Sequence, residues 1–505
     1  MKKALLILIS AMLALALLAG CITQDTGGQT NRQGSGDDQK QIITCRYVLP
    51  GSAPTDIDVV EPMINEAMQK AGVNVELKRE YIPWEAWEQK TNMYLSTGEV
   101  FDLLNVMNDI IPISSYVSRG ALADITDIMN QYGSNILATN PDIMMDAVKV
   151  NNRIYGIPAF WVEFSHSPEM TIRLDILRKY NLPVPKNMEE LTETFEIVMS
   201  KWEGPEKPYI PIIGAQTTKF GLAQKGYDSW PFWVYDNFIY VNQHGMVANY
   251  FETEEFKQDC KWARLWYQKG LIHPDVLVFK SDQLNAQLDS GNWFIHAGTI
   301  GSIDNIKKNY PDITVDDFAF LNFNPEKPNL RPYGTRNMNA VPKSSKNPEA
   351  GVMFINWLYA NQENYDLYMY GREGIDYEKT GARTRKVLLK EGQSVPAYFA
   401  DDWMIGNIKY LRTSETTPTA TIEMLYTIDT TAVNSIAASF TYDASDVMAE
   451  LANVRTEIQA SIAPIACGVV DYETELPKAL EKLKAAGMDK VINEYKTQFE
   501  AFRKK

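Results

Sequence analysis

Indole rings standing close to carboxylates recur along this chain. Trp161 is followed two residues on by Glu163, and Trp403 comes directly after Asp401 and Asp402. Trp230 and Trp233 frame one aromatic stretch, and Trp293 follows the Gly291-Asn292 pair. Asn105, Asn108 and Asp109 sit at the end of a short apolar run, and Arg336 precedes Asn337. Flat aromatic faces cover C–H surface, while carboxylates, carboxamides and a planar guanidinium exchange paired hydrogen bonds with hydroxyls. Together these groups suit recognition of a polyhydroxylated small molecule. Each also has a plainer use: a tryptophan can fill a core, Asn105, Asn108 and Asp109 can be turn and cap chemistry, and Arg336 can be an ion-pair partner. Trp262 and Trp266, four apart on a helical pattern, read as core, as does Trp357.

Catalysis has less to work with. Glu163 and Asp401 could pair as glycosidase carboxylates do, yet nothing in the sequence fixes their separation. The chain holds four histidines and no His-Glu-x-x-His. Beyond Cys21, its cysteines are Cys45, Cys260 and Cys467, with no Cys-x-x-Cys spacing. No metal, no cofactor and no enzyme activity are expected. Three buried free thiols, or one disulfide with a thiol left over, both satisfy that count. The net charge of −15 argues against nucleic acid and against an anionic lipid surface.

The start of the chain sets its compartment. Lys2 and Lys3 precede an uncharged apolar run from Ala4 to Leu18, which ends in Leu18-Ala19-Gly20-Cys21. A charged start, an apolar middle and small exit residues describe a secretory signal over residues 1–20. The string resembles the lipobox of bacterial lipoproteins, which implies lipidation of Cys21 and a body held at the outer face of the cell membrane. Residues 21–40 are rich in Gln, Gly, Asp and Thr and read as a flexible linker. The remainder exceeds what one core usually supports, so two lobes are expected.

The elements that must position the candidate residues follow. Thr44–Leu49 reads as a strand, Asp56–Ala71 as a helix ended by Gly72, and Val73–Tyr81 as a second strand. Trp87–Ser96 reads as a helix, and Phe101–Met107 as a buried parallel strand. This β-α-β-α-β order predicts an α/β fold with a doubly wound sheet.

Further along, Gly120-Ala121-Leu122-Ala123-Asp124-Ile125-Thr126 leads to Asn151-Asn152-Arg153-Ile154-Tyr155-Gly156-Ile157-Pro158. Arg173-Leu174-Asp175 and Asn181-Leu182-Pro183 follow, then Gly291-Asn292-Trp293 and Pro342-Lys343-Ser344-Ser345. This series resembles the extracellular solute-binding proteins of bacterial sugar ABC importers. Tyr370-Gly371-Arg372-Glu373-Gly374-Ile375-Asp376-Tyr377 and the run from Val469 to Val491 are similar to a Gram-positive subgroup. Many members of that subgroup carry an apolar residue where Arg372 stands. The resemblance implies a two-lobed periplasmic-binding-protein-like fold of type II. Lobe 1 would take 41–159 and 333–385, and lobe 2 would take 160–332 and 386–505. Crossings are expected at 159–164, at 336–341 and after the 348–359 helix. A cleft between the lobes would then hold an oligosaccharide on Asn105, Asn108, Asp109, Trp161, Glu163, Trp230, Trp233, Trp293, Arg336, Asn337 and Trp403. The implied partners are that sugar and the membrane permease subunits, for a monomer. A peptide-binding protein or a sensor feeding a membrane kinase remains the alternative.

Overall fold

The computed structural model describes residues 41–504, apart from 109, 162–169, 211–224, 279–280 and 394. Cys21, Asp109 and Glu163 lie outside the described residues, as do the signal and most of the linker. None of the described helices is long and apolar enough to cross a membrane.

The first half follows the expected order. Strand β1 (Ile43–Pro50), helix α1 (Ile57–Lys70), strand β2 (Val75–Ile82), helix α2 (Trp84–Thr97) and strand β3 (Leu103–Met107) succeed one another. β1 lies between β2 and β3 and pairs parallel with both. β3 has all five residues buried, as a strand covered on both faces must. α1 buries Val60, Ile64 and Met68, the i, i+4, i+8 stripe of its sequence. The sheet is completed from far away. Strand Asn337–Ala340 joins β3 antiparallel, and Ile157–Pro158 pairs antiparallel with its other edge. The chain is therefore in the first sheet up to Pro158 and again from Asn337.

The third passage falls elsewhere. After helix Pro348–Leu358 the chain does not leave; Tyr365, Tyr368, Tyr370, Tyr377, Tyr398, Met404 and Ile405 all join the first core. Burial of five tyrosines accounts for this, since each ring removes a large apolar face from water. The chain moves on only beyond Ile405: Ile303 N donates to Thr416 O, and Thr421 Oγ1 donates to Ile300 O. Residues 398–405, which the sequence places in the second lobe, thus pack in the first.

The second lobe has its own cores. One gathers strand Met170–Arg173, which pairs antiparallel with Ile295–Ala297 and Phe318–Phe320, over Leu191, Phe195 and Trp266. Trp266 is buried, and its indole donates to Thr192 Oγ1 at 2.7 Å. Another joins the hairpin strands Phe232–Tyr235 and Ile239–Asn242 to the C-terminal helices Tyr472–Ala485 and Met488–Arg503. Cys45, Cys260 and Cys467 are free, buried thiols, the first of the two readings of their count.

Candidate functional site

The parallel strands β1, β2 and β3 end on one edge of the first sheet, where ligands of open α/β sheets sit. β1 stops at Pro50, and Gly51 turns the chain with a φ of 101°, a conformation that costs glycine nothing. β2 stops at Ile82; Pro83 then stands at the residue before α2 and leaves Trp84 on its first turn. Segment 399–405 lies against these ends. A hollow there is lined by Leu49, Ser52, Tyr81, Asp401 and Met404.

Three buried polar side chains hold that segment down. Asn105 Nδ2 and Asn339 Nδ2 both donate to Met404 O, at 3.2 and 3.0 Å. Tyr47 donates its hydroxyl to Asn339 Oδ1. Buried amides need such partners, because an unpaired one costs about 1–3 kcal/mol. The result is a fixed position for the preceding residue, Trp403. Its ring stacks on Trp84 with centroids 5.9 Å apart and planes 26° apart. Trp84 is 49 % exposed, so the pair presents a free aromatic face. Burial raises the Asp401 carboxyl above its usual range, and a hydrogen bond to the Trp403 side chain opposes that rise. A carboxylate acceptor therefore stands beside the platform. Next to it, burial pushes the Asp402 carboxyl up to about 6, against the pull of the Tyr365 hydroxyl.

The sequence candidates divide on this geometry. Trp403 is half-buried at the shelf just described. Trp161 is half-buried on the first crossing, its N–H donating to Ala159 O at 2.8 Å. Arg336 is half-buried, and its carbonyl accepts from Asn108 N at 2.8 Å. Trp233 is half-buried, edge-on to Tyr333 at 5.4 Å.

The others are interior. Asn105 is the staple to Met404. Asn108 spends its amide on Thr335 O and on the N–H of Ile113. Asn337 is buried within the sheet. Trp230 is 5 % exposed, its indole donating to Pro328 O at 3.0 Å. Trp293, 3 % exposed, packs on Ile303, Ile306 and Phe318 and lies under the Arg173 guanidinium at 5.6 Å. A ring so enclosed has no face to offer a ligand, which corrects the platform role read for Trp293 and Trp230. Arg372 also has a structural duty. It bonds both oxygens of Asp376 at 2.7 and 2.8 Å and reaches Asp56, tying the start of α1 to the turn after helix Gln362–Tyr370.

Sequence reasoning missed Trp84. The available signal was Ile82-Pro83-Trp84: a proline closing a strand, then an indole on the exposed first turn of the helix. Among the described residues no group of histidine, cysteine, aspartate and glutamate could hold a metal ion.

A sheet with parallel strands, completed by an antiparallel strand that returns from a second lobe, defines a class: two-lobed α/β proteins that hold solutes at strand ends. The chain belongs to the bacterial extracellular solute-binding proteins, whose family model matches residues 63–375. A domain of unknown function matches 436–504. Over 98 % of this chain and 97 % of its relative, the sequence is 24 % identical to a carbohydrate ABC transporter substrate-binding protein of Streptococcus pneumoniae. Lipoprotein LipO of Bacillus subtilis is 22 % identical over 55 % of this chain and 53 % of its own. Among solved structures, the N-glycan transport solute-binding protein NgtS of S. pneumoniae superposes with a TM-score of 0.72 at 21 % identity, over 92 % of this chain and 99 % of that one.

Proposed function

We propose that this protein is a lipid-anchored receptor that captures an oligosaccharide outside the cytoplasm and hands it to the permease of an ABC importer. The observation that carries this reading is the Trp84–Trp403 stack, half open to solvent and flanked by Asp401. Aromatic faces with an adjacent acceptor bind the C–H face and the hydroxyls of a sugar ring together. Trp161 and Arg336 sit on the two segments that link the lobes and are the further contacts we assign. Asp109 and Glu163 are assigned as acceptors. Relatives support the ligand class: NgtS has been solved with Man5GlcNAc, and a second S. pneumoniae binding protein, FusA, with kestose.

We assign lobe 1 to 41–159, 333–411 and lobe 2 to 160–332, 412–505. The protein acts as a monomer, binds rather than transforms its ligand, and is tethered through Cys21. Calorimetric titration with Man5GlcNAc and kestose, with trialanine as the contrast, tests the ligand class. Saturable heat with either sugar and none with the peptide is expected; the reverse pattern would overturn it.

A further inference from the structure

Strand Phe318–Phe320, strand Asn329–Arg331 and helix Thr419–Thr431 enclose a groove in the second lobe. Its volume is about 510 Å³, within the range that holds small ligands. Phe320 and Met424 bring apolar surface to its lining, Asp316 and Glu423 bring carboxylates, and Asn322 and Asn329 bring carboxamides.

Behind the two asparagines lies Lys225, only 3 % exposed. A buried cation ordinarily meets a carboxylate. Here the ammonium reaches Asn322 Oδ1 and Asn329 Oδ1, both at 3.4 Å. Burial pulls this lysine below its ordinary range, while the charge of Glu326 opposes that shift. An ammonium donates and cannot accept. Both amides must therefore turn their oxygens inward. A second donor enforces the same choice at Asn322, whose Oδ1 also accepts from Asn324 N at 3.2 Å. Each Nδ2 is left for the other side. That of Asn329 points to Thr431 Oγ1 at 3.4 Å, and that of the exposed Asn322 has no partner among the described residues.

The groove thus gathers amide donors, carboxylate acceptors and an aromatic ring in one lining. That is the complement of a hydroxyl-bearing ring. We propose that it is a second saccharide subsite, apart from the Trp84–Trp403 shelf, and that Lys225 is its positioning residue, fixing which way the asparagines face. The inference rests on the sugar-binding reading above. It predicts that a sugar unit seats here through ring oxygens and hydroxyl oxygens accepting from the two Nδ2 groups.

Asn322→Asp separates this role from mere stability. The new carboxylate places a negative charge directly on Lys225, where the described residues offer it only amide oxygens, so the melting temperature should rise. The same change removes an outward donor, so affinity for Man5GlcNAc should fall tenfold or more by calorimetry. A purely structural asparagine would move both readings in one direction. Lys225→Met should also weaken Man5GlcNAc tenfold, since nothing then holds the amides in place. Asn322 is exposed and its variant folds, so the test stands even if Lys225→Met does not. Wild-type affinity in Asn322→Asp, or a joint fall in melting temperature and affinity, would overturn the subsite and leave the sugar reading standing. Wild-type protein that binds neither Man5GlcNAc nor kestose would overturn both.

Discussion

Trp84 and Trp403 come from positions 319 residues apart, yet their rings stack at 5.9 Å. One ring starts a helix just past the end of β2. The other is set in place by two asparagine amides on the carbonyl of its neighbour, Met404. In the proposed binding role, an aromatic pair held this way by buried hydrogen bonds would be preorganised, which would lower the entropy lost on binding.

Trp84→Ala should therefore cost affinity and little stability. A ring face against a sugar buries apolar surface at roughly 25 cal/mol per Å², so one platform contributes on the order of 2 kcal/mol, about thirtyfold in dissociation constant. Trp403→Ala should cost both, because that ring is half-buried against the first core. Titration of each variant, paired with urea unfolding, separates the two effects. Unchanged affinity in both variants would place the platform elsewhere.

Trp293→Ala should do the opposite. Its ring is enclosed by Ile303, Ile306 and Phe318, and truncation of a buried tryptophan typically costs about 3–5 kcal/mol. The folded fraction should bind sugar as before. A variant of normal stability with lost affinity would restore Trp293 to the binding surface.

Asp402 gives the fold a pH signature. Its carboxyl is raised in the folded state to about 6, above the value it has unfolded. Between roughly pH 4 and 6 the folded state therefore holds the extra proton, and this group's contribution to stability declines as pH rises through that window. Asp402→Asn keeps the acceptor for Tyr365 and removes the titration. The variant should gain on wild type as pH increases, by on the order of 2 kcal/mol at pH 7. Denaturant midpoints from pH 4 to 7 decide it; parallel curves for the two proteins would refute the assignment.

Cys21→Ser should leave the protein uncleaved or release it from the membrane, since a serine offers no thiol for the diacylglyceryl group. Fractionation and the mass of the N-terminal peptide report the outcome. Normal processing with membrane retention would remove the lipid anchor from the reading.

The first sheet was legible because its strands are short apolar runs punctuated by glycine and proline, a local signal. Lobe membership of residues 398–405 was not. It depends on five tyrosines between residues 365 and 398 packing into a core whose other members, Tyr47 among them, come from the distant start of the chain. The asparagines failed for a similar reason. A polar residue after a buried strand reads as a ligand donor until the strand pairing is known, and Asn105 gains its partners from residues 338, 339 and 404. Arg372 likewise took its meaning from Asp56, 316 positions away. Trp84 was within reach, since Pro83 marks the strand end on which it stands.

The hydroxyl of Tyr359 carries a consequence for motion. It accepts from Phe160 N at 3.2 Å and donates to Gly406 O at 2.8 Å. Ile408 N reaches Phe160 O at 2.9 Å, so the outgoing and final connectors are laced together at one phenol. Two connectors clamped at a shared point behave as a single leaf spring, not as two independent threads. On the proposed closure of the two lobes, rotation would bend both connectors beyond that clamp, past Trp161 on one and Lys409 on the other, and a ligand held at the half-buried Trp161 would feel the angle between the lobes.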